Sequence, residues 1–172
     1  MNQTQSHYRN LFDRNILGLF RSALRLAVSR IGRLPFLLRC LSVQERGARL
    51  RAKHLRQGLE VPPLLIFSLT RRCNLNCRGC YSKLLHSSQE EEISAARFAE
   101  ILAEAGELGM AIIMLAGGEP LLCREMLEAA AKHRRAVFPV FTNGTLLDDG
   151  YLSFFRRNPN NIPVIRLEGQ DA

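Results

Sequence analysis

The chain has 172 residues, 47% apolar and 23% charged, which suits one globular domain with its own core and excludes intrinsic disorder. With no Trp and 7% aromatic residues, it lacks a stacking platform for single-stranded nucleic acid. The net charge of +8 is uneven: residues 1–60 carry 12 Lys/Arg against 3 Asp/Glu, and residues 61–172 carry 12 against 13. The basicity therefore belongs to an N-terminal segment, and nucleic acid is not an expected partner.

Residues 8–57 read as helix. Ile16, Phe20, Leu24, Ala27 and Ile31 fall on one helical face, with Arg14, Arg21 and Arg25 opposite. Gly32 interrupts the pattern, and Pro35 suits the first turn of a second helix running toward Leu55. Three roles fit such a basic amphipathic extension: packing on the main domain with Arg in solvent, resting on an anionic membrane surface, or docking an acidic partner or, least expected, nucleic acid. Gly58 and Pro62–Pro63 end it, which sets domain limits at 1–57 and 61–172. No stretch reaches the ~18 uncharged apolar residues of a membrane span. The first residues lack the order of a secretion signal. The expected location is cytoplasmic, with the extension able to place the protein at the inner face of the membrane.

Beyond Pro63 strand and helix alternate. Leu64–Leu69 is a short apolar run and reads as a buried strand. Ser94 is placed to cap a helix whose buried stripe is Phe98, Ile101, Leu102, Ala105 and Leu108, with Gly109 ending it. Ala111–Ala116 reads as the second strand and Arg124–Arg134 as the next helix. Val137–Phe141 is the third strand despite Pro139. Asp148 or Asp149 starts a further helix, and Pro163–Leu167 is the fourth strand. Four such repeats predict an α/β fold with a parallel sheet, wound as a barrel or left open.

Each unusual polar cluster follows the C-terminal end of a strand, where parallel α/β folds build their sites. Cys73, Cys77 and Cys80 follow the first strand, Gly117-Gly118-Glu119-Pro120 the second, Thr142-Asn143-Gly144-Thr145 the third, and Glu168-Gly169 the fourth. Thiolates suit zinc or an iron–sulfur cluster. A closed zinc site needs a fourth ligand, for which His86, Cys40 and Cys123 are the candidates. Three sulfurs on a cubane cluster leave one iron open, as catalytic rather than structural sites do. Arg71, Arg72 and Arg78 add positive charge that favours thiolate.

The spacing Cys73-x-x-x-Cys77-x-x-Cys80 after one strand, with Gly117-Gly118-Glu119-Pro120 after the next, resembles the radical S-adenosylmethionine superfamily over about residues 61–170. The resemblance implies a partial TIM-type (βα) barrel with parallel strands, truncated after about four strands and preceded by a helical segment. Residues 61–172 are then the N-terminal portion of the core domain. It implies a 4Fe–4S cluster on Cys73, Cys77 and Cys80, with S-adenosylmethionine chelated to the open iron. One electron, from a donor such as flavodoxin or ferredoxin, would cleave the sulfonium reductively. The resulting 5′-deoxyadenosyl radical would take hydrogen from a substrate that these residues do not identify. Gly117, Gly118, Glu119 and Pro120 match the loop that receives the methionine amino group, Glu119 offering its carboxylate to the ammonium. Thr142 and Asn143 are candidate polar contacts to the cofactor, and Glu168 is a candidate for its ribose or carboxylate.

The chain departs from the family pattern at Gly79, where an aromatic residue is common, and in having four strand units rather than six. The expectation is an iron–sulfur enzyme present as a fragment or a split subunit. The competing reading is a noncatalytic metal-binding or docking protein on a degenerate half-barrel. Iron and sulfide in a brown protein favour the first, and stoichiometric zinc in a colourless one the second.

Overall fold

A computed structural model describes residues 34–80, 82 and 92–166. The helix expected over residues 8–31, and also Tyr81, Leu167 and Glu168, lie outside the described residues. Residues up to Ser42 and those from Val43 onward form separate units of the chain.

Helix α1 spans Leu34–Arg56, with Pro35 in its first turn and Lys53, His54 and Arg56 in its last. No helix among the described residues is long and apolar enough to cross a membrane. From Val43 onward, one face of α1 meets the loop that precedes β2 (Ile112–Ala116). Arg51 Nη1 donates to Gly109 O at 2.5 Å, Gln44 Nε2 to Ala111 O at 3.4 Å, and the His54 ring lies 3.3 Å from Glu107 O. The spacing of Gln44, Gly47, Arg51 and His54 keeps them on that face. A side chain at Gly47 would meet Gly109 O at 2.8 Å, so glycine permits the approach. For residues 44–54 the packing role anticipated for the extension thus has its contacts.

Strand β1 (Leu64–Ser68) leads to α2 (Ala95–Leu108). Ser94 caps α2 by accepting from Arg97 N, and Gly109 closes it in the left-handed conformation at φ 88°. After β2 come a 3₁₀ turn (Pro120–Leu122) and α3 (Arg124–Lys132). Strand β3 (Phe138–Thr142) is followed by α4 (Asp149–Arg157), capped by Asp148, and by β4 (Asn161–Ile165). The expected α/β class is present. Four parallel strands lie in the order β1-β2-β3-β4. Consecutive order without reversal is how a TIM-type barrel is wound, whereas a doubly wound sheet reverses.

Period-two alternation divides the sheet into two faces. Phe67, Ile113, Leu115, Phe138 and Val140 join the core with Phe98, Leu102, Leu127 and Phe154 from the helices. On the other face Ile66 pairs with Met114, and Phe141 with Val164. Ile66 there is 64% exposed. The β1–β2 and β3–β4 ladders each run five residues, but β2–β3 registers only at Leu115↔Val140, with a bridge at Ile112↔Val137. The cause is Pro139. Val137 exchanges bonds with β2, through Ile113 N to Val137 O and Val137 N to Ala111 O. The next position facing β2 is Pro139, which has no N–H to give.

The fourth strand begins and ends two residues earlier than its apolar run suggests. Asn160 and Asn161 are buried, not turn residues in solvent. Asn161 Nδ2 donates to Leu127 O at 3.0 Å, and Asn160 Nδ2 reaches the Ala130, Ala131 and His133 carbonyls at 3.3 Å. These amides tie the start of β4 to carbonyls of α3 and of His133, the residue that follows it.

Candidate functional site

Because the strands are parallel, Ser68, Ala116, Thr142 and Ile165 end at one edge of the sheet. The loops after them therefore meet, as the sequence pattern anticipates.

The second loop lies directly on the first. Gly118 N donates to Thr70 O at 2.7 Å and Glu119 N to Arg72 O at 2.8 Å. This crossing explains the paired glycines. A Cβ on Gly117, at φ 125°, would meet Thr70 O at 2.4 Å, and one on Gly118 would meet Arg72 O at 2.1 Å. The base of the cysteine loop is also held from below. Glu92 accepts from Thr70 Oγ1 at 2.6 Å and Arg71 N at 2.8 Å, and lies 3.5 Å from Arg72 Nε. The Thr70 hydroxyl, with help from the Arg71 N–H and the Arg72 and Arg71 charges, holds the Glu92 carboxyl below its ordinary range; partial burial opposes them.

Glu119 is 1% exposed. Its Oε1 accepts from Thr142 Oγ1 at 2.7 Å and Leu121 N at 3.0 Å, and its Oε2 from Asn143 N at 2.9 Å. The structure thus gives Glu119 internal partners. Its side chain caps the 3₁₀ turn and ties the second loop to the third. Pro120, also buried, opens that turn.

In the third loop the Asn143 side chain is likewise turned onto the protein. Its Oδ1 accepts from Thr145 N and Oγ1 at 2.9 and 2.7 Å, and its Nδ2 donates to Asn74 Oδ1 at 3.0 Å. Asn74 Nδ2 returns to Thr145 Oγ1 at 2.7 Å. Asn74, Asn143 and Thr145 form a clasp that fastens the cysteine loop to the loop after β3. Asn143 Nδ2 also lies 4.0 Å from Cys73 Sγ, and Leu75 N donates to that sulfur at 3.4 Å.

Cys73 and Cys77 are exposed, and Cys80 is half-buried. Cys73 and Cys80 line one open pocket of about 350 Å³ with Arg71, Asn74, Ser82 and Gly118. Cys77 is not among the lining residues, and no three Cys, His, Asp or Glu side chains among the described residues are gathered as a metal group. Cys40 and Cys123 are each half-buried and line no part of the pocket. Burial pushes the Cys40 thiol up, against a smaller opposing effect of Arg39, as suits an inert side chain. The donor set fits a soft cluster: three thiols on one loop, two of them at one pocket, one sulfur already receiving an N–H. A volume of this order is ordinary for a small-molecule site of about 300–1,000 Å³.

Glu92, Asn74 and Ser82 were not legible as site residues. Glu92 sits in the acidic run Glu90–Glu92, which reads as solvated charge, and Asn74 and Ser82 carry no spacing signal of their own.

A parallel α/β sheet with a pocket lined by two cysteines at the C-terminal edge of its strands defines the class: an α/β domain whose candidate site is built from strand-end loops. The chain belongs to the Radical SAM superfamily, whose family profile matches residues 67–171. It is 43% identical over 86 residues to the pre-heme d1 synthase of Dinoroseobacter shibae, covering 48% of this chain and 21% of that protein. It is 33% identical over 108 residues to the Fe-coproporphyrin III synthase of Methanosarcina barkeri, covering 60% of this chain and 27% of that one. The chain thus spans about a quarter of the length of these relatives. The fold resembles the crystal structure of Streptococcus suis SuiB bound to S-adenosylmethionine, at TM-score 0.58 and 22% identity, over 72% of this chain and 30% of that one.

Proposed function

We propose that the chain holds a 4Fe–4S cluster on Cys73, Cys77 and Cys80 and S-adenosylmethionine beside it. When bound, the pair supplies one-electron reductive cleavage to methionine and a 5′-deoxyadenosyl radical that takes hydrogen from a substrate. The observation that carries this reading is the meeting of Cys73, Cys80 and Gly118 at one pocket, made by the backbone crossing of two strand-end loops.

The chain's own residues do the positioning. The Gly117–Pro120 loop presents backbone to the methionine amino group, and the buried Glu119 keeps that backbone in place. Thr142 and Asn143 act through the same carboxylate, and Asn143 holds Asn74 and with it the start of the cysteine loop. The Leu75 N–H and the Asn143 amide both reach the Cys73 sulfur and hold it in place at the pocket. Glu168 is proposed for the cofactor's ribose or carboxylate. A flavodoxin or ferredoxin supplies the electron. The segment 1–57 provides a basic contact surface for an anionic membrane or a protein partner.

The test is anaerobic reconstitution with iron and sulfide, followed by metal analysis and visible and electron paramagnetic resonance spectra. Close to four irons per chain are expected. They are lost on changing Cys73, Cys77 or Cys80 to Ala and retained in Cys40→Ala and Cys123→Ala. A colourless protein carrying one zinc would overturn the proposal.

A further inference from the structure

Thr70 is 2% exposed, and its hydroxyl works in both directions. Arg72 N donates to Thr70 Oγ1 at 3.0 Å, so the one hydroxyl hydrogen goes to Glu92 Oε1, 2.6 Å away. Arg71 N donates to the same carboxylate oxygen at 2.8 Å. Glu92 thus holds two consecutive peptide N–H groups, one directly and one through a hydroxyl, in the two residues that lead into Cys73. The carbonyls are taken from the other side, Thr70 O by Gly118 N and Arg72 O by Glu119 N.

Glu92 stands 22 residues after Thr70, and Cys73, Cys77 and Cys80 all lie between them. The Thr70–Glu92 bond therefore closes, at its neck, the loop that carries the three thiols. Each stem runs into regular structure: Thr70 follows β1 closely, and Glu92 is two residues before Ser94, the cap of α2. A loop closed at its neck has fewer conformations to lose when three ligands converge on one object. The burial of Thr70 keeps water from competing for the bond.

We propose that Glu92 is a positioning residue for the iron–sulfur cluster: by closing the neck of the cysteine loop through Thr70, it sets how firmly the cluster is held. The inference deepens the cluster assignment above and rests on it. Glu92 acts through Thr70 and Arg71 and is not a ligand. The closed loop holds the cluster more tightly than the open one, so opening the neck speeds the loss of iron.

Both bonds end on one oxygen, which separates the substitutions. Glu92→Gln keeps an acceptor for Thr70 and Arg71 and gives up the charge, whereas Glu92→Ala gives up the neck. Thr70→Val removes the hydroxyl from the opposite stem. The experiment reconstitutes each protein anaerobically and follows the visible cluster spectrum in excess iron chelator, well below every melting temperature. Glu92→Ala and Thr70→Val should release iron about 10-fold faster than wild type, the effect of one charge-assisted hydrogen bond. Glu92→Gln should release it at a rate close to wild type. The double variant Glu92→Ala/Thr70→Val should be no faster than the faster single one, because both remove the same bond. Ile113→Val, in the core at β2, controls for stability: its cluster-free form should melt lower, with release unchanged.

Wild-type release rates in Thr70→Val and Glu92→Ala would overturn the role of Glu92 and leave the cluster assignment standing. So would additive effects in the double variant, or equal acceleration by Ile113→Val. Release from Glu92→Gln as fast as from Glu92→Ala would place the effect in the charge and remove the neck bond as its cause. Wild type that takes up neither iron nor sulfide would sink both the inference and the assignment beneath it.

Discussion

Replacing Gly118 by Ala tests the idea that the cofactor pocket is shaped by one loop lying on another. Gly118 is not among the positive-φ glycines, so alanine meets no backbone strain there and the effect is purely one of space. The new Cβ would sit 2.1 Å from Arg72 O, 2.6 Å from Arg72 C and 2.8 Å from Arg71 O, all backbone atoms that cannot rotate away. Ordinary contact begins at 3.4 Å, so the cysteine loop must recede by about 1.3 Å. That shift carries the bonds from Gly118 N to Thr70 O and from Glu119 N to Arg72 O, now 2.7 and 2.8 Å, out of range. Two lost hydrogen bonds at about 1 kcal/mol each, with about 1–2 kcal/mol of residual overpacking, give roughly 3–4 kcal/mol. At about 2–4 °C per kcal/mol for a chain of this size, the melting temperature falls by roughly 10 °C. Circular dichroism melts measure this, and S-adenosylmethionine binding to the reconstituted protein should weaken in parallel. Gly58→Ala is the comparison: at φ 85° with nothing within 4 Å, it carries backbone strain of about 1–2 kcal/mol and no clash. If Gly118→Ala melted no lower than Gly58→Ala and bound the cofactor normally, the loop crossing would not be what shapes the pocket.

Glu119→Gln keeps one acceptor oxygen for Thr142 and Leu121 and sets its amide donor against the Asn143 N–H, and a loss of about 2–3 kcal/mol is expected in urea unfolding. The folded carboxyl of Glu92 titrates below its ordinary value, so its stabilisation is complete above that value and is lost as pH falls through the lowered one. Glu92→Gln should therefore melt below wild type at pH 7, and the gap should close in the acid range below about pH 4.3; a gap independent of pH would refute the ionic part of this contact. Asn74→Ala opens the clasp to Asn143 and Thr145 and should lower the cofactor affinity of the reconstituted protein with little change in melting, read by titration of the cluster's spectrum. Arg51→Met removes the charged donor on Gly109 O and should speed trypsin cleavage in α1 while leaving cluster content unchanged.

Much of this fold is written in short-range signals. Ser94, Gly109 and Asp148 mark helix ends through bonds spanning three or four residues, and those ends fall where their neighbours predict. The strands are legible because their apolar runs are bounded by turns. Long-range requirements are not legible in this way. Asn160 and Asn161 look like a loop, yet their amides answer carbonyls some thirty residues earlier, and so β4 starts before its apolar run. Within the site, the cysteine spacing and the paired glycines identify the loops. The inward turn of Glu119 does not show in sequence, because its partners, Thr142 and Asn143, stand 23 and 24 residues on. Nor does the glycine pair reveal what it admits: spacing alone cannot distinguish a ligand from the backbone of Thr70 and Arg72.

Pro163 gives the outer side of β4 a polarity. Arg166 N donates to Thr142 O, so in a parallel ladder Ile162, Val164 and Arg166 turn their peptide groups toward β3, and Asn161, Pro163 and Ile165 turn theirs away. Of those three, Asn161 spends its N–H on Asn158 O, and Pro163 has none. What faces outward is the amide hydrogen of Ile165 set among carbonyl oxygens. A strand that adds here must bring its own donors and receives one in exchange. A second β4 cannot meet that demand, because it carries the same shortage. The β4 border is thus mismatched to itself, and pairing of one β4 with another is discouraged by one imino acid rather than by a layer of charge.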